Sequence, residues 1–459
     1  MLDVSKAKTQ YRCGECGGAA PKWTGWCDAC GASGTMVEEK VTALRAASGG
    51  SAPPPARAIP LAETSVGVDK PVPTRLREVD RVLGGGLVPG SVTLLGGEPG
   101  IGKSTLLLQV AAATGLRCLY ISAEESAQQV GARAERIGAT AASVWLAPET
   151  VLPNVLTLLD EVKPELLVID SIQALLDPEL GSTPGSLAQV RGCSHALVAE
   201  AKQRGLTVVM VGHVTKDGGL AGPKVLEHVV DTVLAFEGER HHALRLLRAS
   251  KHRFGGTHEL GLFEMHDTGL AGVGDASSLF LADRQPGTPG SVVAPVLDGH
   301  RPLLVEVQAL VMPSSAPFPR RTTQGIDTAR LSQVLAVLEQ RGGVPTSKSE
   351  VHVAVAGGVK VREPGVDLAM ALAVASAATN SAVAQHVVAC GEVGLGGELR
   401  QVQRTDRRLA EASRMGFLKG LVPRSAPNGV SGMKVVRCPS LRNALEAVLD
   451  VKGLSGFAN

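Results

Sequence analysis

Apolar residues recur in this chain in two rhythms, and their alternation organises its middle. Short unbroken apolar runs at 91–95, "RCLYIS", "ELLVID" and "TVVMVGH" have the length and content of strands buried on both faces. Between them, residues 104–114, 126–137, 151–162 and 186–203 carry helical spacing. Such alternation predicts a parallel sheet covered by helices on both faces. Beyond residue 275 the rhythm changes. Paired strands ("GSVVAPVLDG", "RPLLVEVQALVMPS") precede a helix over 327–340, the strand "EVHVAVAGG" and the helix "PGVDLAMALAVASAAT". The hairpin "HVVACGEVGLGGELRQV" and the helix "RTDRRLAEASRMGF" follow. No run reaches about 18 apolar residues, so no membrane span is expected.

A chain of 459 residues exceeds one ordinary core, and about 150 residues per domain predicts two or three. The balance of 44% hydrophobic and 20% charged residues is that of a globular protein. A net charge of +2 supplies no global basic field, so a nucleic-acid partner would have to be held by local patches. The N-terminus lacks an apolar signal core, which argues against export and for a cytoplasmic setting.

Cys13, Cys16, Cys27 and Cys30 form C-x2-C-x10-C-x2-C, with glycines that let each thiolate pair converge on one tetrahedral ion. A structural Zn2+ ribbon over 1–40 is the expectation, with iron suited to the same ligands and disulfides disfavoured in a reducing compartment. Trp23 and Trp26 are read as caps on its small core, the rival being stacking on a base or partner. Cys118, Cys193, Cys390 and Cys438 sit alone in apolar segments and read as core residues. Residues 41–60, rich in Ala, Ser, Gly and Pro, read as a linker.

The first apolar strand runs into Gly97, Glu98, Pro99, Gly100, Ile101, Gly102, Lys103 and Ser104, followed by Thr105 and a helix. This matches G-x-x-x-x-G-K-[ST] in its strand-loop-helix setting and predicts an ATP-binding loop. Glycines let backbone N–H groups wrap the phosphates, Lys103 reaches the β- and γ-phosphates, and Ser104 ligates Mg2+. "RCLYISAEES" ends in Glu124 and Glu125. Glu124 is the expected base for the attacking water, with Glu125 its neighbour or substitute. A helix N-terminal acid is the rival reading. "ELLVIDSIQAL" delivers Asp170 to Mg2+, with Ser171 in support. His213, at the end of "TVVMVGH", is placed to sense the γ-phosphate or to serve structure. Arg191, Lys216 and Lys224 lie in or near two Gly-rich segments that could follow a nucleic-acid backbone or remain solvated.

At 251–255 stands a cationic pentad: Lys251, His252, Arg253, Phe254 and Gly255. The flanking "HALRLLRAS" and "THELGLFEM" predict a hairpin, with Phe254 as anchor and Gly255 and Gly256 giving the turn. Two cations there can stabilise charge on a transferring phosphoryl group in trans, or bind DNA phosphates.

The order of CxxC pairs, "LGGGLVPGSVTLLGGEPGIGKSTLLLQ", "VIDSIQ", "GSLAQVR", "GHVTKDGGLAGPKVLEHVVDTVL" and "SKHRFGGTHELGLFEM" resembles the bacterial RadA (Sms) family across essentially the whole chain. In that family the pentad is usually Lys-Asn-Arg-Phe-Gly, so His252 is a departure. The resemblance implies an α/β fold: a RecA-like P-loop ATPase over 61–272 between the zinc ribbon and a C-terminal α+β Lon-protease-like domain over 275–459. It further implies a ring, a homohexamer, that binds single-stranded and branched DNA. ATP hydrolysis with Mg2+ would drive branch migration as in the DnaB-type helicases, beside a RecA-type recombinase. Lys103, Ser104, Glu124 and Asp170 would serve ATP, and Lys251 and Arg253 a neighbour's nucleotide or DNA coupling. A regulatory KaiC-like ATPase is the alternative.

The third region looks like the Lon protease C-terminal domain, yet Asp367 stands where that family has its serine and Asp406 where it has its lysine. Without nucleophile and base no peptide hydrolysis is expected. Lys360, Arg362, Arg400, Arg404, Arg407 and Arg408 would suit a basic DNA face, or reflect ordinary solvation.

Overall fold

The computed structural model describes residues 8–13, 19–28, 31, 33–34, 36–41, 70–213, 226–238, 244–427 and 429–449. Cys16, Cys30, Lys216, Lys224 and the linker beyond Val41 therefore lie outside the described residues, as does the side chain of His213. Among the described residues no helix is long and apolar enough to cross a membrane.

The N-terminal strands are β1 (Lys8–Cys13), β2 (Ala19–Ala20) and β3 (Met36–Val41), in the antiparallel order β2-β1-β3. Next come α1 (Arg77–Val82), β4 (Val92–Gly97), α2 (Lys103–Thr114), β5 (Cys118–Ser122), α3 (Ala127–Arg136), β6 (Val144–Ala147), α4 (Leu152–Val162) and β7 (Leu166–Asp170). After α5 (Leu187–Arg204) and β8 (Thr207–His213) run β9 (Thr232–Glu237), β10 (Leu244–His252), β11 (Leu260–His266) and β12 (Gly269–Gly272). They build one nine-stranded sheet, β12-β11-β10-β9-β4-β8-β7-β5-β6. Its six strands from β9 to β6 are parallel. Strands β4 and β5 are buried at every position, as a sheet with both faces covered requires. Helix α3 starts at Ser126 with a capping box to Gln129, a cap that contributes on the order of 1 kcal/mol.

The remainder comprises α6 (Ala276–Leu281), β13 (Ser291–Asp298), β14 (Arg301–Pro313), β15 (Arg321–Gln324), α7 (Thr328–Val337), β16 (Ser349–Val355), α8 (Asp367–Thr379) and β17 (Val387–Ala389). Then come β18 (Glu392–Val393), β19 (Leu399–Arg400), α9 (Thr405–Arg414), β20 (Lys419–Pro423), β21 (Lys434–Cys438) and α10 (Leu441–Glu446). The second large sheet has the order β15-β16-β14-β13-β17-β20-β21. Helix α8, apolar all round, is buried from Asp367 to Ser376 and forms the centre of this α+β domain. The segment read as one hairpin at 386–402 divides: β17 joins the large sheet, while β18 and β19 pair by themselves.

The β10–β11 hairpin is a wall shared by two cores. Leu247, Ala249 and Phe263 belong to the ATPase core, while Leu260 and Leu262 belong to the C-terminal core. Arg301 of β14 and Glu78 of α1 form a buried ion pair 2.5 Å apart across the junction, and Leu262 N–H also donates to Glu78. Arg248 and Asp298 form a second, bidentate bridge.

Candidate ATP site and cationic hairpin

The C-terminal rim of the parallel strands gathers the first site. A Cβ at Gly97 would meet Phe236 O at 2.5 Å, and one at Gly102, whose φ is +112°, would meet Met265 Cε at 2.5 Å. Glycine is therefore required where β9 and β11 press on the loop. Ile101 is buried and pins the loop, with its carbonyl accepting a hydrogen bond from buried Arg245 of β10, while Glu98, Pro99 and Gly100 face solvent.

Lys103 opens α2. Its Nζ donates to Gly97 O at 2.8 Å and Glu98 O at 2.9 Å. Burial lowers its pKa from the usual lysine range, opposed by the charges of Asp170 and Glu124. Those carboxylates thus act on the lysine that a γ-phosphate would meet. Ser104 and Thr105 sit half-buried in the first turn of the same helix. The rim separates the two glutamates. Glu125 is held by Arg133 of α3 through contacts of 2.7 and 2.6 Å, whereas Glu124 accepts a hydrogen bond from Ser171, next to Asp170. Asp170 ends β7, and Tyr120 Oη donates to its Oδ2 at 2.6 Å. Hydroxyl and carboxylate oxygens beside a phosphate loop form the hard donor set that Mg2+ takes.

The pentad stands at the opposite rim. His252 pairs with Thr232, which pairs with Thr93, whereas Gly97 pairs with Phe236. Four residues of strand, about 13 Å, separate the two levels. Arg253 and Phe254 lie beyond His252, farther from the protomer's own phosphate loop than one side chain spans. The cations also differ. Lys251 turns inward and donates to Glu227 O at 2.5 Å and Val230 O at 2.8 Å. Burial lowers its pKa, with Arg253 adding to that effect. Arg253 is 48% exposed and meets Asp231 at 2.9 Å, whose other oxygen accepts from Val92 N–H. His252 Nδ1 lies 2.9 Å from Thr232 Oγ1 and Nε2 lies 3.3 Å from Leu83 O. Phe254 is exposed and packs edge-on against that ring. The turn itself falls on Arg253 and Phe254 with Gly255 in the bend that follows, and neither Gly255 nor Gly256 takes a positive φ. Gly255 is needed for space, since a Cβ there would meet the His252 ring at 2.9 Å.

Residues 57–219 match the family model of an AAA domain, 11–38 that of a rubredoxin metal binding domain, and 326–426 that of subunit ChlI of Mg-chelatase. The DNA repair protein RadA of Mycolicibacterium smegmatis is 46% identical over 458 residues, covering 97% of this chain and 98% of that protein. The chain belongs to the RadA family of DNA repair proteins. RadA of Pseudomonas aeruginosa is 47% identical and that of Bacillus subtilis 43%, each over 97% of this chain and covering 100% and 99% of the relative. The molecule is thus a RecA-like DNA repair ATPase that uses ATP with Mg2+ and carries a structural zinc ribbon.

In this RadA chain the ribbon core consists of Cys13, Cys27 and Met36, with Tyr11 and Ala20 packed against them. Gly31 N–H donates to Cys27 O at 2.7 Å, closing a tight turn around that thiol. Two buried thiols in so small a core fit a tetrahedral thiolate site that Cys16 and Cys30 would complete. Trp23 and Trp26 are not its caps: they stand 61% and 63% exposed, while Met36 is buried beside Cys13 and Cys27. Cys118, Cys193, Cys390 and Cys438 are buried, and burial pushes the Cys118 and Cys390 thiols up to about 12.

In the RadA C-terminal domain Asp367 is fully buried, held by Nε of Arg330 at 2.9 Å, by its Nη2, and by Val393 N–H at 3.1 Å. Asp406 is exposed in the first turn of α9. Arg408 leaves the expected basic face: it is 1% exposed, paired with Glu363 and bonded to Pro295 O at 3.0 Å. Lys360, Arg362, Arg400, Arg404 and Arg407 are exposed, as is Arg191 on α5. Sequence reasoning missed Tyr120, Arg245 and Asp231, whose roles depend on partners brought in by the sheet.

Proposed function

We propose that this chain works as a DNA-dependent motor: a homohexameric ring that binds single-stranded and branched DNA and couples ATP hydrolysis to branch migration, alongside a RecA-type recombinase. The observation that carries the reading is the separation of the two rims. Arg253 points out half-exposed from the rim opposite its own phosphate loop, so a nucleotide it served would belong to another copy. Lys251 has a different part, bracing the end of the segment that follows residues 214–225. Strand β10 links the two rims, with Arg245 on the loop at Ile101 O and the pentad at its far end.

At the ATP end, Lys103 would hold the β- and γ-phosphates and Glu124, oriented by Ser171, would take the proton of the attacking water as ADP departs. Mg2+ held by Ser104 and Asp170 would neutralise phosphate charge. The exposed cations Lys360, Arg362, Arg404 and Arg407 would contact DNA phosphates. With Asp367 locked in its ion pair, the C-terminal domain serves as scaffold and binding surface rather than peptidase.

ATP turnover with and without single-stranded DNA, together with migration of a three-strand joint, tests this. The expected result is turnover stimulated by DNA and a joint that moves. Arg253→Ala should fold and bind ATP yet lose most of the DNA-linked turnover, on the order of tenfold or more. An ATPase indifferent to DNA that leaves the joint in place would sink the motor and favour a regulatory KaiC-like ATPase.

A further inference from the structure

Tyr120 is 1% exposed, at the centre of β5, with its ring in the core between the sheet and α2 and α3. Its hydroxyl donates to Asp170 Oδ2 at 2.6 Å. The strand register explains the reach: Ser122 pairs with Asp170, and Tyr120 lies two residues earlier on the same face. A phenol is protonated at neutral pH and a carboxylate can only accept, so the proton of this contact belongs to Tyr120. The nearby Arg133 guanidinium is held by both oxygens of Glu125. A phenol buried among apolar side chains, with its proton directed at the carboxylate of a phosphate site, does more than fill space.

We propose that Tyr120 is the positioning residue of the metal end of the ATP site: it fixes Oδ2 of Asp170 and leaves Oδ1 to meet hydrated Mg2+. This rests on Asp170 being the Mg2+ carboxylate. A carboxylate that offers one oxygen suits a small, octahedral ion that keeps several waters, and disfavours the bidentate ligation that larger Ca2+ accepts. Tyr120 therefore biases the site toward Mg2+ without touching metal or nucleotide.

The test measures binding of a fluorescent ADP analogue to the full chain during titration with Mg2+ or Ca2+. Tyr120→Phe should bind the analogue in EDTA as the wild type does, need about tenfold more Mg2+ for half-saturation, and discriminate less against Ca2+. A second readout follows the wild-type phenol directly. The chain has 2 tyrosines, Tyr11 and Tyr120. Fluorotyrosine labelling therefore gives two 19F resonances, and the one missing from Tyr120→Phe is Tyr120. That resonance should move when Mg2+ joins bound ADP and stay still with ADP in EDTA. A Mg2+ titration of Tyr120→Phe that superposes on wild type, or a Tyr120 resonance indifferent to Mg2+, overturns the proposal. Asp170→Asn separates the two levels: if it leaves the Mg2+ dependence intact, the reading of Asp170 itself fails and the role of Tyr120 with it.

Discussion

Asp170 and Asp367 both stand at the end of a buried element, yet their surroundings assign them different work. Asp170 gives one oxygen to Tyr120 and lies half-buried at the rim where the phosphate loop opens. Asp367 is fully buried, with Arg330 across both its oxygens and Val393 N–H added. A carboxylate with an oxygen left to offer can serve a metal or a proton, whereas a saturated one is part of the framework. The same contrast separates half-exposed Arg253 from Lys251, whose ammonium is turned onto two carbonyls.

Removing the guanidinium from the saturated pair is the harshest way to break this contrast. Arg330→Ala should cost about 3–5 kcal/mol in urea unfolding, because it leaves a buried carboxylate without its counter-charge. Burial, partly offset by Arg330, already holds the Asp367 pKa above the ordinary carboxylate range. A raised folded-state pKa favours the native state at low pH and loses that contribution as pH rises through it. The deficit should therefore be greatest at neutral pH and shrink toward pH ~4. A deficit that does not vary with pH would mean Asp367 stays charged throughout.

On the other side of the comparison, Lys103→Ala should leave the unfolding midpoint almost unchanged while ATP turnover falls by roughly 100-fold or more. Equal losses in stability and turnover would mean that Lys103 belongs to the framework. The smallest effect is expected at His252, whose ring sits between a hydroxyl and a carbonyl. An asparagine amide offers the same pair of roles, one donor and one acceptor. His252→Asn should therefore stay within about 0.5 kcal/mol of wild type near neutrality. Burial lowers the His252 pKa from its ordinary value. The stability linked to the neutral ring is then present above about pH 6.5 and lost as pH falls through the folded-state value. Unfolding of the asparagine variant should accordingly depend less on pH below that point.

Spacing made much of the ATP site legible before any fold was seen. Gly97 to Ser104 encode a loop through contiguous residues, and Asp170 and Glu124 announce themselves at the ends of apolar runs. Position alone favours Glu124 over Glu125 in the sequence; that Ser171 meets the first and Arg133 the second is legible only in the fold. The pentad was legible as a cluster of charge but not in its division of labour. Nothing in "KHRFG" tells that one cation folds inward and the other outward.

What the sequence by itself determined is whatever local period and spacing encode: the strand-helix alternation, the phosphate loop and the cysteine pairs. What the tertiary structure decided is which charges are already satisfied. Tyr120 meets Asp170 across 50 residues, Arg245 meets Ile101 across 144, and Arg301 meets Glu78 across 223. Contacts of that range leave no period in the chain, because hydrogen bonds and ion pairs depend on distances that exist only once the sheet has brought its strands together. The same reason hid the burial of Arg408 and the exposure of Trp23 and Trp26: a side chain's solvation belongs to its neighbours in space.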